Sequence, residues 1–343
     1  MFLEIRFPEY LLMQKLEIPV LLITFNRPDV TRTVLERILE VNPPKIYFFN
    51  DAPREGNEND RIKCAEIREM ARSLPYQGEL LTRFEEKNLG CKGGESTAMT
   101  WLFENEEMGI VIEDDILPTR EFFFYCQDML HRYRYDDRIF SVSGCNLVNE
   151  WKPAHHDYFY SFFGSFWGWA GWQRVWKRYN VDMPEWNNPM VKELVLQFLP
   201  TEEYRKLRIA EFDSLVAGVT STWDFQFCFY HYLNHGLSLV PARNMVVNIG
   251  INRADAVHMV AESPFSDLRA FPQNLPMRPN TLMVPDFGYD VEVVRKGHPY
   301  LFERPVFSPP PTPTLTQRIR MEIGRQIGET GVLRDLTNKL RGR

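Results

Sequence analysis

The chain has 343 residues, 44% hydrophobic and 25% charged, with a net charge of −6. That is enough apolar material for one large domain or two ordinary ones, and the acidic balance excludes a general nucleic-acid binder, which needs a basic face. Five cysteines (Cys64, Cys91, Cys126, Cys145 and Cys228) include no CxxC pair, so reduced cytosolic thiols are expected rather than a disulfide framework or a thiolate metal site. The opening MFLEIRFPEYLLMQKLE scatters Glu4, Glu9 and Glu17 among its apolar residues and is not expected to be a signal peptide. The longest apolar run, around IPVLLITF, is too short to span a bilayer, so a soluble, cytoplasmic body is expected.

After the extension 1–17, residues 18–145 alternate strand and helix. PVLLITF (19–25) reads as a buried strand, and NRPDVTRTVLERILE as a helix with Pro28 near its first position and Asp29 in its first turn. KIYFFN (45–50) is a second strand and DRIKCAEIREMARSL (60–74) a second helix. ELLTRFEE (79–86) is a shorter strand, and a Gly-rich turn, NLGCKGGES, leads to the helix TAMTWLFENE. GIVIE (109–113), the helix REFFFYCQDMLHRY and the strand RIFSVSG complete the series. Repeated βαβ units imply an α/β fold, with a mostly parallel sheet flanked by helices and ligands bound outside the carboxyl ends of the strands. Residues 146–298 form a compositionally distinct second half. It begins with a segment dense in Trp and Phe (151–186), continues with the helical stretches PTEEYRKLRIAEFDSLVAG and STWDFQFCFYHYLNHG, and then has the strand LSLVPA. Residues 299–313 are a proline-rich linker and 314–343 a basic, helix-like tail suited to peripheral contact with an anionic membrane or to packing on protein. There is no internal repeat.

Several stretches carry residues suited to chemistry. Glu113, Asp114 and Asp115 follow the apolar GIVI, where three like charges need a partner. Either they form a solvated turn or they face a divalent cation, Mn²⁺ or Mg²⁺, which carboxylate oxygens suit. NLGCKGG (88–94) matches neither common phosphate-loop pattern, although a helix N-terminus there favours an anion. Asp51, just past the second strand, is placed either to bind a base or ribose or to cap a loop. FFGSFWGWAGW (162–172) reads as part core and part ligand shelf. Asp224 in STWDFQF is either a helix-cap acid or a general base, and His258 in RADAVH either a surface histidine or a ligand contact.

Together these stretches resemble the GT-A-fold nucleotide-sugar glycosyltransferases, and among them the inverting, metal-dependent N-acetylglucosaminyltransferase I type. PVLLITFNRPDVTRTVLERI is similar to that family's first strand, polar-Arg turn and first helix, and IYFFNDA to its second strand, ending in the Asp that contacts uracil. NLGCKGGESTAMTWLFEN and GIVIEDDILPTREFFFYCQDML resemble its helix, apolar strand, EDD and Phe-Phe helix, and FSVSGCN its next strand. FGSFWGWAGWQRVW resembles its Gly-Trp acceptor-side segment, TWDFQF its Trp-Asp element, and LVPARNMVVNIGINRADAVH its closing strand and His loop. The resemblance runs over residues 18–260. It departs from the family in the stretch 187–222, inserted before TWDF, and in lacking the membrane anchor and stem of Golgi members, so the chain looks more like a soluble bacterial relative.

The resemblance implies that 18–145 binds a UDP-sugar and 146–298 forms the acceptor side. Asp115 would hold Mn²⁺ or Mg²⁺. Asp114 would contact ribose or metal-bound water, and Glu113 ribose or the transferred sugar. Asp51 would accept from the uracil N–H, Arg27 would lie near the nucleotide and His258 near the diphosphate. Asp224 would be the general base, with Asp213 or Glu211 next in line, and Gly168 and Trp169 would floor the acceptor site. The implied reaction is transfer of a sugar, with GlcNAc one candidate, from a UDP-sugar to a hydroxyl on a glycan, lipid or protein. Two other readings stay open on the same residues: a nucleotide-sugar-binding partner without activity in a glycan-assembly complex, and a metal-dependent nucleotidyl- or phosphotransferase.

Overall fold

The computed structural model describes residues 15–251, 253 and 263–302. His258, the tail 314–343 and all but the start of the proline-rich stretch lie outside the described residues. The first seven elements alternate as the sequence predicts: β1 (Val20–Thr24), α1 (Pro28–Val41), β2 (Lys45–Asn50), α2 (Glu58–Arg72), β3 (Glu79–Phe84), α3 (Gly90–Asn105) and β4 (Met108–Glu113). α1 begins at Pro28, carries Asp29 in its first turn and buries Val34, Leu35 and Ile38 on one face. It stops at Asn42, whose left-handed φ of 44° lets its N–H reach the Leu39 carbonyl. All five residues of β1 are buried, as a strand covered on both faces requires.

Next come β5 (Ile116–Pro118), α4 (Arg120–Arg132), β6 (Ile139–Ser143), β7 (Tyr158–Ser161), β8 (Trp169–Trp172) and the short α5 (Gln173–Trp176). They are followed by α6 (Pro189–Leu194), α7 (Glu202–Val216), α8 (Asp224–Leu233), β9 (Leu237–Pro241), β10 (Val246–Asn248) and α9 (Phe287–Gly297). One eight-stranded sheet has the order β3-β2-β1-β4-β8-β6-β9-β7. β3, β2, β1 and β4 are mutually parallel, and Leu22 at the centre of β1 pairs with Phe48 and Ile112. β8 runs antiparallel to both β4 and β6, and β7 antiparallel to β9. The α/β layout is therefore Rossmann-like in its first half and mixed in its second. β10 pairs with β5, setting Asn248 opposite Ile116 beside the end of β4.

Besides the short strands β5 and β7, which the sequence did not show, two elements differ from the sequence expectation. α3 starts at Gly90 rather than at Thr97, so the glycine-rich stretch is helix and not loop. Glycine in a helix costs about 1 kcal/mol relative to Ala. Here the first turn is held by a carboxylate from β2, described below. β8 is the other difference. Its Trp and Gly residues show no alternation because the strand is buried on both faces between β4 and β6. Trp169, expected at the floor of an acceptor site, is 1% exposed. Its ring stacks on Trp223 at 6.1 Å and touches Phe166 and Phe227 at 5.8 and 5.3 Å. It is a core residue with no face left for a ligand, and this corrects its assignment to the acceptor floor. Trp169→Ala should therefore cost about 3–5 kcal/mol in chemical denaturation. A loss below about 1 kcal/mol would put the ring outside the core.

Candidate active site

β1, β2 and β4 run in the same direction, so their carboxyl ends share one edge of the sheet. A cleft of about 620 Å³ opens there. The turn after β1 contributes Phe25, Asn26 and Arg27, α2 contributes Asn59 and Lys63, and α3 contributes Cys91, Gly94 and Glu95. Glu113–Asp115, Asn248, Gly250 and Trp167 close the remaining wall.

The acidic turn is clamped from two sides. Asp114 Oδ2 accepts from the Phe25 N–H at 3.2 Å, and Asp115 Oδ2 pairs with Arg27 Nη1 at 2.9 Å. From the other side the Asp115 carbonyl accepts from the Ile249 N–H at 2.8 Å. Gly250 lies so close that an added Cβ would come within 2.4 Å of Asp115 Oδ2, leaving room for no larger residue. Burial pushes Asp114 up to about 7, helped by the charge of Asp115 and opposed by Arg27. Asp115 is raised by burial and held back by Arg27. Glu113 is pushed well above the usual carboxylate range by burial, then by Glu95, Asp115 and Asp224.

Asp51 is also raised by burial, but its oxygens are filled by donors. Oδ1 accepts from the Ala52 and Leu89 N–H groups at 2.8 and 3.0 Å, and Oδ2 from Gly90 N–H and Asn88 Nδ2, both at 3.0 Å. A carboxylate offers about four lone-pair positions. All are taken, and three of the four donors come from the entry to α3. Asp51 lines the cleft, but it works as the cap of α3 and has no acceptor left for a uracil N–H. That corrects its assignment to the base.

Asp224 sits at the start of α8, where the Thr222 hydroxyl donates to it. It is not among the side chains that line the cleft, but its charge raises two that do, Glu95 and Glu113. The alternative bases are engaged elsewhere. Asp213 accepts from Trp186 Nε1 at 2.9 Å and Lys192 Nζ at 2.6 Å, and Glu211 pairs with Arg208 at 2.6 Å. Gly168 has a left-handed φ of 58°, and a Cβ there would meet Val246 at 2.9 Å, so it serves the backbone path. Its neighbour Trp167, not Trp169, faces the cleft.

Glu95 is the residue the sequence reading missed. It is in the second turn of α3, and Cys91 Sγ one turn earlier donates to its Oε1 at 3.3 Å. Burial raises it to about 8, assisted by Asp224, Asp115 and Asp114. The only hint in the sequence is its i+4 spacing from Cys91, in a helix that enters the sheet at its ligand edge.

Among the described residues no three His, Cys, Asp or Glu side chains form a chelating group. Mg²⁺ and Mn²⁺ sites of the type completed by substrate phosphates need only one or two protein carboxylates, and Asp115, at the cleft wall beside Arg27 and Asn248, fits that donor set. Nor is any helix among the described residues long and apolar enough to cross a membrane.

No family model matches the chain, and no curated protein matches it. Among solved structures it is similar to a mannosyltransferase from Pyrobaculum calidifontis in complex with GDP-Man and Mn²⁺, at 14% identity and TM-score 0.38, over 65% of this chain and 71% of that one. It is similar also to 4-diphosphocytidyl-2C-methyl-D-erythritol synthase from Anaerococcus prevotii, at 11% and 0.33, over 68% and 93%. A third is the apo form of mouse xyloside xylosyltransferase 1, at 9% and 0.31, over 64% and 82%. Likeness at this level does not decide the chemistry, which rests on the cleft itself.

The raised acids set a pH dependence. Glu95 loses its proton near 4.5 when unfolded and near 8 in the fold. Between those values the folded chain binds the proton and the unfolded chain does not, so stability falls as pH rises through about 8. The urea midpoint should drop between pH 6 and pH 9, and less steeply in Glu95→Gln. Identical slopes would mean that the Glu95 carboxyl is solvated.

Proposed function

We propose that the chain transfers a sugar from a UDP-sugar to a hydroxyl group of a glycan, lipid or protein acceptor, with inversion at the anomeric carbon. The observation that carries the reading is the placement of Glu113, Asp114 and Asp115 at the end of a buried strand, facing a cleft of about 620 Å³ beside Arg27. That volume suits a ligand of nucleotide-sugar size.

Asp115 would hold Mn²⁺ or Mg²⁺ together with donor phosphate oxygens and water. When bound, the ion supplies positive charge against the departing nucleotide diphosphate. Arg27 adds a permanent charge at the same place. Asp114 accepts from ribose or ion-bound water, and Glu113 from ribose or sugar hydroxyls. With Asp51 committed to α3, the uracil carbonyl oxygens fall to Asn59 and Lys63 on the α2 wall. His258 is assigned to the diphosphate on the resemblance alone. Asp224 takes the proton of the attacking hydroxyl, a contribution typically worth about 10²–10⁴-fold. One base, acting opposite the leaving group, gives inversion.

Incubation with a UDP-sugar panel and Mn²⁺ should release UDP. Nucleoside monophosphate or pyrophosphate as product would indicate nucleotidyl transfer, and binding without turnover a non-catalytic partner. Asp115→Ala should lower turnover by at least about 10²-fold while the fold survives. Normal turnover in that variant would move the ion elsewhere. In Asp224→Asn, UDP binding should persist while transfer falls about 10²–10⁴-fold. Unchanged transfer would exclude Asp224 as the base.

A further inference from the structure

Glu95 has no part in the scheme above, yet it occupies the middle of the acid network. Asp224 is the largest charge acting on it, and it is the largest charge acting on Glu113. It therefore feels the charge of the β4 acids and of the base candidate alike. It lines the cleft, as do Glu113 and Trp167. Its orientation is fixed twice: Cys91 Sγ donates to Oε1 at 3.3 Å, and the helix that carries it is tied to the sheet through the bonds from Leu89 and Gly90 to Asp51.

Glu95, Glu113 and Cys91 bring no positive charge to a diphosphate, but they suit a sugar. Its hydroxyls donate to carboxyl oxygens, and the apolar face of a pyranose covers an indole such as Trp167. We infer that Glu95 contacts the transferred sugar and helps to select it, with Cys91 as the positioning residue that sets its rotamer. The inference rests on the proposed UDP-sugar reading and adds a specificity-determining residue to it. The proton that Glu95 holds at neutral pH lets the carboxyl donate as well as accept, so a hydroxyl or an acetamido carbonyl could be read by the same group.

Calorimetric titration of the full chain separates the possibilities. UDP and a panel of UDP-hexoses and UDP-N-acetylhexosamines, each with Mn²⁺, are titrated into wild type, Glu95→Gln and Glu95→Ala. Expected is a UDP Kd unchanged within about twofold in both variants. Affinity for the preferred UDP-sugar should fall about tenfold in Glu95→Ala, the size of one lost buried hydrogen bond, and less in the isosteric Glu95→Gln. Equal weakening of UDP and UDP-sugar would overturn the inference, because it would mark Glu95 as structural. No change in either would overturn it too. Wild-type protein that binds no uridine nucleotide would instead remove the functional reading beneath it, an outcome distinct from an unaffected variant.

Discussion

Glu113, Asp114 and Asp115 leave a strand whose preceding residues, Gly109–Ile112, are buried, so their charges must be met where they emerge or not carried at all. The surrounding architecture follows from that demand. The turn after β1 turns an amide and a guanidinium toward the acids, and the strand pair β5–β10 folds back to bring Ile249 and Gly250 against the last of them. These contacts are fewer than the acids could accept. The deficit appears as raised proton affinity, and a divalent ion or a set of sugar hydroxyls would relieve it.

The cleft holds two kinds of carboxylate, and the number of donors around each tells them apart. Asp51 is saturated by backbone and amide N–H groups, so it fixes geometry and has nothing left for a ligand. Asp114 is buried, Glu95 and Glu113 are half-buried, and all three have too few donors, which leaves capacity for chemistry. Residue type and position after a strand do not make this distinction. The partners do.

That is also why the sequence was legible in part. β1, β2, β4, α1, α2 and α4 announce themselves through short apolar runs, helical spacing and a proline at a helix start, all local signals. The acidic turn was visible because three adjacent charges after GIVI need a partner, whether water in a solvated turn or a cation. The early start of α3 was not, since its support comes from Asp51, far away in sequence. β7 (YFYS) and β8 (WAGW) were hidden because they show neither alternation nor an aliphatic run like the VLLIT of β1. Trp169 and Trp167, two positions apart, look alike in sequence, and only the sheet decides that one is core and the other cleft. Glu95 reads as an ordinary helix-surface acid until the helix is docked.

The position of β8 bears on how the molecule can be assembled. The strand that ends in the acids has β1 on one side and β8 on the other, and β8 belongs to the aromatic half of the chain. As the polypeptide is made, β4 emerges with an open hydrogen-bonding edge that stays bare until residues 169–172 arrive. Such non-local closure is slow and exposes the edge to wrong partners in the interval. A chain cut after residue 145 would keep every acid of the turn and still lack the strand that completes its scaffold, so the acid-bearing half is not a portable module. Exchanging it between related proteins would require the Trp-rich segment to travel with it.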